Sequence, residues 1–430
     1  MIENAYINMW GKRVGAIHWN QDSGNADFEF DPAFFQHKLD VAPLKMPIGN
    51  AKGQIFSFPE LAGSSTFKGL PGLLADVLPD RYGNALINAW LARVGRSTGS
   101  MNPVEMLCFA GKRGMGALEF EPVVPKSADQ ATKVEIGSLA EVAQQILSGR
   151  QLFQTELSHD EQKALSDILK IGTSAGGARA KAIVAWNAET GEVRSGQTDA
   201  PEGFTQWLLK FDGVDDSQFG ATWGYGRVEM AYYLMAVDCG IEMMECRLIK
   251  ENGRAHFMTR RFDRTSGNEK LHVQTFYGLM HYDFNDIYSY SYEQLFQTMR
   301  MLRLTYPEAE QMFRRMVFNV MAKNCDDHTK NFAFLMNQSG EWKLAPAYDI
   351  CHAYRPGSTW VSQHALSING KRQGITHDDL LEVGRQMNVK KAPSIVQQNA
   401  ETITKWHNYA EQVKVEAKLR DAIGKTLLIL

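Results

Sequence analysis

The chain has 430 residues, of which 44% are apolar and 22% charged, and its formal net charge is −3. That length exceeds one compact core and predicts two or three domains, while so near-neutral a balance excludes bulk attraction to nucleic acid or to an anionic membrane, leaving only local patches. Five scattered cysteines (Cys108, Cys239, Cys246, Cys325 and Cys351) argue against a disulfide framework, no C-x-x-C pair suggests zinc, and no apolar run of about 18 residues suggests a membrane span.

The first residues, "MIENAYINMWGKRVG", carry no signal-peptide stretch, so a cytoplasmic location is expected. Residues 1–60 read as a small β unit. "AYINMWGKRVGAIHW" has the Gly-Lys-Arg pattern of a hairpin, and "DFEFDPAFF" ends a strand at a proline. A helix is predicted from about Asp80 to Val94, stopping at Gly95, and "GKRGMGALEFEP" reads as a tight turn followed by a strand. The polar stretch 121–137, with two prolines, is the best linker candidate. Beyond it, "SLAEVAQQILSGR" and "SHDEQKALSDILKIG" have helical periodicity, with Ser158 and Glu161 as a capping box. From 171 to 262 the pattern turns to strands, "KAIVAW", "QWLLKF", "CRLIK" and "AHFMTRRF", interrupted by the helix "YGRVEMAYYLMAVDCG". From about 290 to 430 helices dominate, except for a hairpin at 332–345. This order is α+β rather than alternating α/β.

The densest chemistry lies in "NCDDHTKNFAF", residues 324–334. The preceding "PEAEQMFRRMVFNVMAK" has apolar residues at 312, 313, 316, 317, 320 and 321, the stripe of a helix against a core. A hairpin follows, so the polar stretch is a loop held at both ends, on which side chains are positioned accurately. Asp326 and Asn331 lie five apart, the spacing of the catalytic-loop Asp and metal-binding Asn of protein kinases. Phosphoryl transfer needs a carboxylate that orients a hydroxyl and accepts its proton, and it needs hard oxygen ligands for magnesium. The hairpin brings Asp349, in "AYDI", to the place of the second metal-binding Asp. The spacing selects Asp326 over Asp327, whose substitution is expected to matter much less. Each residue alone could belong to an Asx-rich turn; the set together points to phosphoryl transfer. Upstream, "IGTSAGGARAKAIVAW" has Gly176 and Gly177 before an apolar strand, either an ordinary turn or a loop whose N–H groups approach phosphate. Lys181 and Lys210 are the candidate phosphate lysines; a snorkelling edge lysine remains the alternative for Lys210.

These pieces, "SAGGARAK", "LLKF", "RRFDR" and "NCDDHTKNFAF…LAPAYDI", together with "LPDRYGNALI" and "GKRGMGALEFEP" nearer the N-terminus, resemble the HipA family of bacterial serine/threonine kinase toxins over nearly the whole chain. The resemblance implies a protein-kinase-like bilobal fold. Residues 1–125 would be a small β-rich N-terminal subdomain, 138–262 an N-lobe-like region with a Gly-rich loop, and 263–430 a mostly helical C-lobe with the catalytic loop. It implies ATP and Mg2+ as cofactors. Asp326 would be the catalytic Asp, with His328 and Lys330 lining the phosphates and Asn331 and Asp349 holding magnesium. Ser174, Ala175, Gly176, Gly177 and Lys181 would form the phosphate loop, Lys210 would contact the α and β phosphates, and Gln274 would also reach them. Arg260 to Phe262 would be the hinge meeting adenine. Ser174 aligns with the serine these kinases autophosphorylate to shut themselves off. The expected partners are a protein substrate and a small helix-turn-helix antitoxin, with DNA reached only through that antitoxin and no membrane. The chain departs from the family in lacking a Gln before the loop lysine and in having Asp327 where Gly is common. Two other readings remain at this point: a small-molecule or lipid kinase, and a kinase-shaped corepressor acting with an antitoxin on DNA. A metal hydrolase fails, because His352 and His364 have no H-x-x-x-H partner.

Overall fold

The computed structural model describes residues 2–122, 135–147, 179–196, 199–214, 223–265 and 268–430. The chain divides into two compact units: Met1–Val41, Met46–Gly226 and Arg247–Val273 form the first, and Ala42–Lys45, Arg227–Cys246 and Gln274–Leu430 the second. The helix with Ser158 and the Gly-rich stretch 174–177 lie outside the described residues, as does most of the linker candidate.

The first unit opens with the expected hairpin, β1 (Asn4–Met9) and β2 (Lys12–Asn20). Its two turn residues, Trp10 (φ 51°) and Gly11 (φ 72°), are both left-handed, the twist a two-residue hairpin turn needs. β3 (Asn25–Phe30), β4 (Ile55–Ser57) and β5 (Leu118–Glu121) complete an antiparallel sheet in the order β4-β3-β2-β1-β5. Gly15 is required on β2, because a Cβ there would lie 2.2 Å from the Glu29 carbonyl of β3. Three helices follow β4: α1 (Gly72–Ala75), α2 (Arg81–Arg93) and α3 (Pro103–Ala110). α2 has the predicted limits, capped by the Asp80 carboxylate, which accepts from Gly83 N at 2.7 Å. α3 escaped the sequence reading because all its residues are buried, so no apolar stripe alternates with a polar one.

The second sheet of this unit contains β6 (Lys181–Trp186), β7 (Val193–Ser195), β8 (Thr205–Lys210), β9 (Cys246–Glu251) and β10 (Arg254–Arg260), ordered β7-β6-β8-β10-β9. One face packs Ala182, Val184, Trp207, Leu209 and Met258 against Tyr82 and Leu86 of α2 and Leu139 and Ala143 of α4 (Ile136–Leu147). Lys181, Lys210 and Phe257 stand opposite one another across three strands, in the row beside that core-facing one.

In the second unit, α5 (Tyr225–Asp238, of which Arg227 onward belongs here) precedes β11 (His272–Thr275, of which Gln274 onward belongs here), α6 (Phe276–Met280), α7 (Tyr292–Met301) and α8 (Tyr306–Met321). All six stripe residues of α8 are fully buried. The predicted hairpin is β12 (Ala333–Met336) and β13 (Trp342–Leu344), and β11 joins β12 in a three-stranded sheet. Four helices close the chain: α9 (His377–Gln386), α10 (Ala392–Ile403), α11 (Trp406–Gln412) and α12 (Ala417–Gly424). The expectation that helices dominate after 345 needs correction for residues 345–376, which hold turns and isolated bridges but no helix. Pro346, Pro356, Gly357, Gly370 and Gly374 break any helical run there. Among the described residues no helix is long and apolar enough to cross a membrane.

Candidate active site

α8 ends at a left-handed Lys323 (φ 55°), and the chain then crosses to residue 353: Cys325 N donates to Ala353 O at 2.9 Å and Ala353 N to Lys323 O at 3.0 Å. The loop closes through one short 3-10 turn, Thr329–Asn331. Asn331 Nδ2 donates to Asp326 O at 2.6 Å, drawing together the two ends of the five-residue spacing. Two further bonds pin the turn: Thr329 Oγ1 donates to Tyr282 O at 2.8 Å, and Tyr348 Oη donates to Lys330 O at 2.7 Å. Every donor here comes from the second unit, so the loop is fixed within it.

The side chains then differ sharply in environment. Asp326 is 43% exposed, with Oδ1 3.8 Å from His328 Nε2. His328 Nδ1 is buried without a hydrogen-bond partner among the described residues. The Lys330 ammonium sits 5.4 Å from the ring centres of both Tyr277 and Phe284, whose electron-rich faces hold the cation. Phe284 also lies against His328, with ring centres 5.6 Å apart. Asp349 takes a left-handed conformation (φ 55°) and, with Asn331, lines a small cleft in this unit. Arg315 lines the same cleft; it is buried, donates from Nη2 to Ala345 O at 2.7 Å and has an unpartnered Nε among the described residues. Burial pushes its guanidinium down to about 10, so it is still a cation at neutral pH. Sequence reading missed Arg315, because in "FRRMV" nothing separates it from the less buried Arg314. Gln274, also in this unit, is buried, and its Oε1 lacks a partner among the described residues.

The other predicted residues belong to the first unit. Lys181 is buried on Asp80, with Nζ 3.0 Å from Oδ2, so one carboxylate serves both the α2 cap and this lysine. Lys210 Nζ lies 5.9 Å from the Phe257 ring centre. Arg260 ends β10 opposite Trp207, and Phe262 is half-buried just beyond. Between and after them lies a knot that the sequence did not reveal. Arg261 grips Asp263 with two bonds, Nε–Oδ1 at 2.8 Å and Nη2–Oδ2 at 2.7 Å, and Arg264 Nη1 reaches Oδ2 at 2.7 Å. Gly116 N donates to the same oxygen at 2.7 Å, which ties "RRFDR" to the predicted turn "GKRGMG". Burial alone would raise the Asp263 carboxyl, but the two guanidiniums outweigh it and hold the group far below the usual carboxylate range.

The HipA N-terminal domain matches residues 5–121 and the HipA-like C-terminal domain residues 173–412, which together take in both units. The chain belongs to the HipA family. Among solved structures, HipA of the Shewanella oneidensis MR-1 toxin–antitoxin system, determined with HipB and its operator DNA, is similar with a TM-score of 0.65 at 16% identity, over 98% of this chain and 95% of that one. This HipA-family chain thus shares the mixed helix-and-sheet HipA fold. The Helicobacter pylori proinflammatory kinase CtkA is similar with a TM-score of 0.32 at 14% identity, over 58% of this chain and 92% of that one. No curated protein matches the chain in sequence.

Proposed function

We propose that this HipA-family chain is an ATP- and Mg2+-dependent serine/threonine protein kinase. In this reading it is the cytoplasmic toxin of a toxin–antitoxin pair, with a kinase-like bilobal arrangement of regions 138–262 and 263–430 behind a subdomain at 1–125. The observation that carries it is the closed loop: Asn331 bonds back to Asp326 and shares one cleft with Asp349, while Asp326 keeps a carboxylate in solvent. The donor set fits magnesium, which takes one or two protein oxygens and completes its shell with water and phosphate. Asn331, its Nδ2 engaged on Asp326, and Asp349 would hold that ion, which when bound neutralises polyphosphate charge. Asp326 orients the attacking hydroxyl and takes its proton. Lys330 adds positive charge beside it and His328 an imidazole nitrogen, both braced by Phe284. Lys210 is the candidate phosphate lysine of the first unit, and Arg260 to Phe262 the candidate adenine hinge. Lys181, engaged by Asp80, acts in this reading by anchoring the strand that follows the Gly-rich stretch. A helix-turn-helix antitoxin as partner is supported by the HipB and operator DNA named with the Shewanella structure.

Mg-ATP is expected to raise the melting temperature, as any ligand selective for the folded state does. Label from the γ-phosphate is expected on the chain itself, at Ser174, where about −1.5 to −2 added charges would repel the triphosphate. A melting curve unmoved by saturating Mg-ATP, with no label transferred to any protein, would end the kinase reading. Label found only away from Ser174 would end self-regulation alone.

A further inference from the structure

One polar cluster beneath the loop is unused by the proposed chemistry. Asp327, which spacing alone marked as the lesser carboxylate, is only 1% exposed. It accepts three hydrogen bonds: from Tyr292 Oη at 2.9 Å and His364 Nδ1 at 2.9 Å on Oδ2, and from Ala365 N at 2.8 Å on Oδ1. Tyr292 in turn accepts from Asn319 Nδ2 at 3.0 Å, and Asn319 Oδ1 from Asn324 Nδ2 at 2.9 Å. The start of α7, the catalytic loop and residues 364–365 therefore meet at one side chain, and the last turn of α8 joins them through Tyr292. Burial opposes a charge on His364, but the Asp327 carboxylate and its hydrogen bond prevail and hold the imidazole protonated well above its ordinary value.

Cys325 Sγ lies 3.8 Å from His364 Nε2, so Cys325, His364 and Asp327 have the connectivity of a nucleophilic triad. Their exposures of 1%, 2% and 1% close that route, since no substrate reaches the sulfur. A stabilising role is also a weak account, because a buried ion pair is often matched by apolar residues of the same volume. What distinguishes this pair is its place. It fixes the residue directly after Asp326, and Asn331 fixes the Asp326 carbonyl, so the peptide plane that aims the Asp326 side chain is held from both sides. The far end of the pair is anchored too. His364 N donates to Arg372 O at 2.9 Å, and the Arg372 guanidinium donates to the carbonyls of Ala365, Tyr288 and Tyr290.

We propose that Asp327 and His364 form a buried positioning clamp that sets the direction of the Asp326 carboxylate and links it to the segment 364–372. The proposal rests on the kinase reading of Asp326, and its test separates the two. In the full-length chain, His364→Phe fills the volume and removes the donor, whereas His364→Asn keeps an N–H near the position of Nδ1. His364→Phe is expected to lower kcat for phosphoryl transfer by about tenfold to a hundredfold, the scale of a slight misalignment, with KM for Mg-ATP changed by less than about twofold. His364→Asn is expected to recover a large part of that loss. Amide hydrogen exchange across 325–328 is expected to quicken in His364→Phe and to stay slow in His364→Asn. An unchanged kcat, a kcat that follows only the folded fraction, or equal losses in the two variants would overturn the clamp. If the wild type transfers no phosphate, the kinase reading falls; unchanged exchange at 325–328 then overturns the clamp as well, whereas quickened exchange retains it as a loop constraint.

Discussion

Asp326 and Asp327 are neighbours with the same side chain, yet one is 43% exposed and the other fully buried on an imidazolium. Only the exposed one can meet an incoming hydroxyl. In the proposed kinase reading Asp326→Asn removes the proton acceptor and keeps the shape, so it is expected to lower kcat by about 10²- to 10⁴-fold while leaving the melting temperature and Mg-ATP affinity unchanged. Rapid-quench transfer assays beside calorimetry check this; comparable turnover by wild type and variant would show that the wrong carboxylate has been chosen. The spacing of Asp326 to Asn331 was legible because it is set within one loop, and the structure brings the two together by a side-chain-to-backbone bond. The burial of Asp327 and its hydrogen bonds were not legible. Its partners, Tyr292, His364 and Ala365, lie 35 to 38 positions away, and nothing local marks a carboxylate that will be buried.

At the scale of elements, local chemistry was a sound guide wherever one signal ruled a segment. The first hairpin, the limits of α2 and the α8 stripe appear where turn and periodicity rules put them, although the turn falls on Trp10 and Gly11, one residue before the Gly-Lys-Arg expected, so that Lys12 already begins β2. α3 and the irregular run 345–376 were missed for opposite reasons. One is buried all round, so it lacks a period, and the other is held in large part by isolated bridges to Met243, Ser291 and Asn324, distant in sequence, that no local rule reports. The "RRFDR" stretch shows the same limit. Read as the end of a strand and a hinge, it also forms a knot to Gly114 and Gly116, nearly 150 residues earlier in the chain. The knot makes its own prediction. Asp263→Asn leaves the Arg261 and Arg264 guanidiniums buried without their counter-charge, and breaking such a pair costs about 3–5 kcal/mol. Chemical denaturation is expected to report a loss of that order. A change under about 1 kcal/mol would mean that water reaches the arginines and that the knot is not closed in solution.

Over the whole molecule, buried titratable groups of opposite sign predict a stability optimum near neutral pH. In the first unit, His256 accepts a hydrogen bond on Nδ1 from Asp212 N at 2.9 Å, which favours the neutral ring. Burial, aided by Arg254, lowers its value to about 4, and burial lowers His272 to about 4 as well. A histidine lowered on folding contributes stability that is complete above its unfolded value of 6.5 and is lost as pH falls towards 4. Between pH 7 and pH 5 the unfolded chain binds protons that the folded one refuses, at a cost of about 2 kcal/mol for each histidine. Asp263, held low, has the same sign and extends the loss below the ordinary carboxylate range. His364, in the second unit, has the opposite sign. Its contribution is complete below 6.5 and is lost as pH rises through its folded value, so it offsets roughly 1 kcal/mol of the acid-side loss and governs the alkaline side. Melting temperatures followed from pH 5 to pH 10 are expected to trace a dome. His272→Gln keeps a donor for Val41 O, which lies 3.1 Å from the histidine Nε2, but cannot titrate. It is expected to flatten the acid limb by about 2 kcal/mol and to leave the alkaline limb in place, whereas His364→Asn is expected to flatten the alkaline limb and to steepen the acid limb by roughly 1 kcal/mol. A curve with no acid limb, or one that His272→Gln does not change, would mean that the unfolded chain and the folded interior protonate alike at His272.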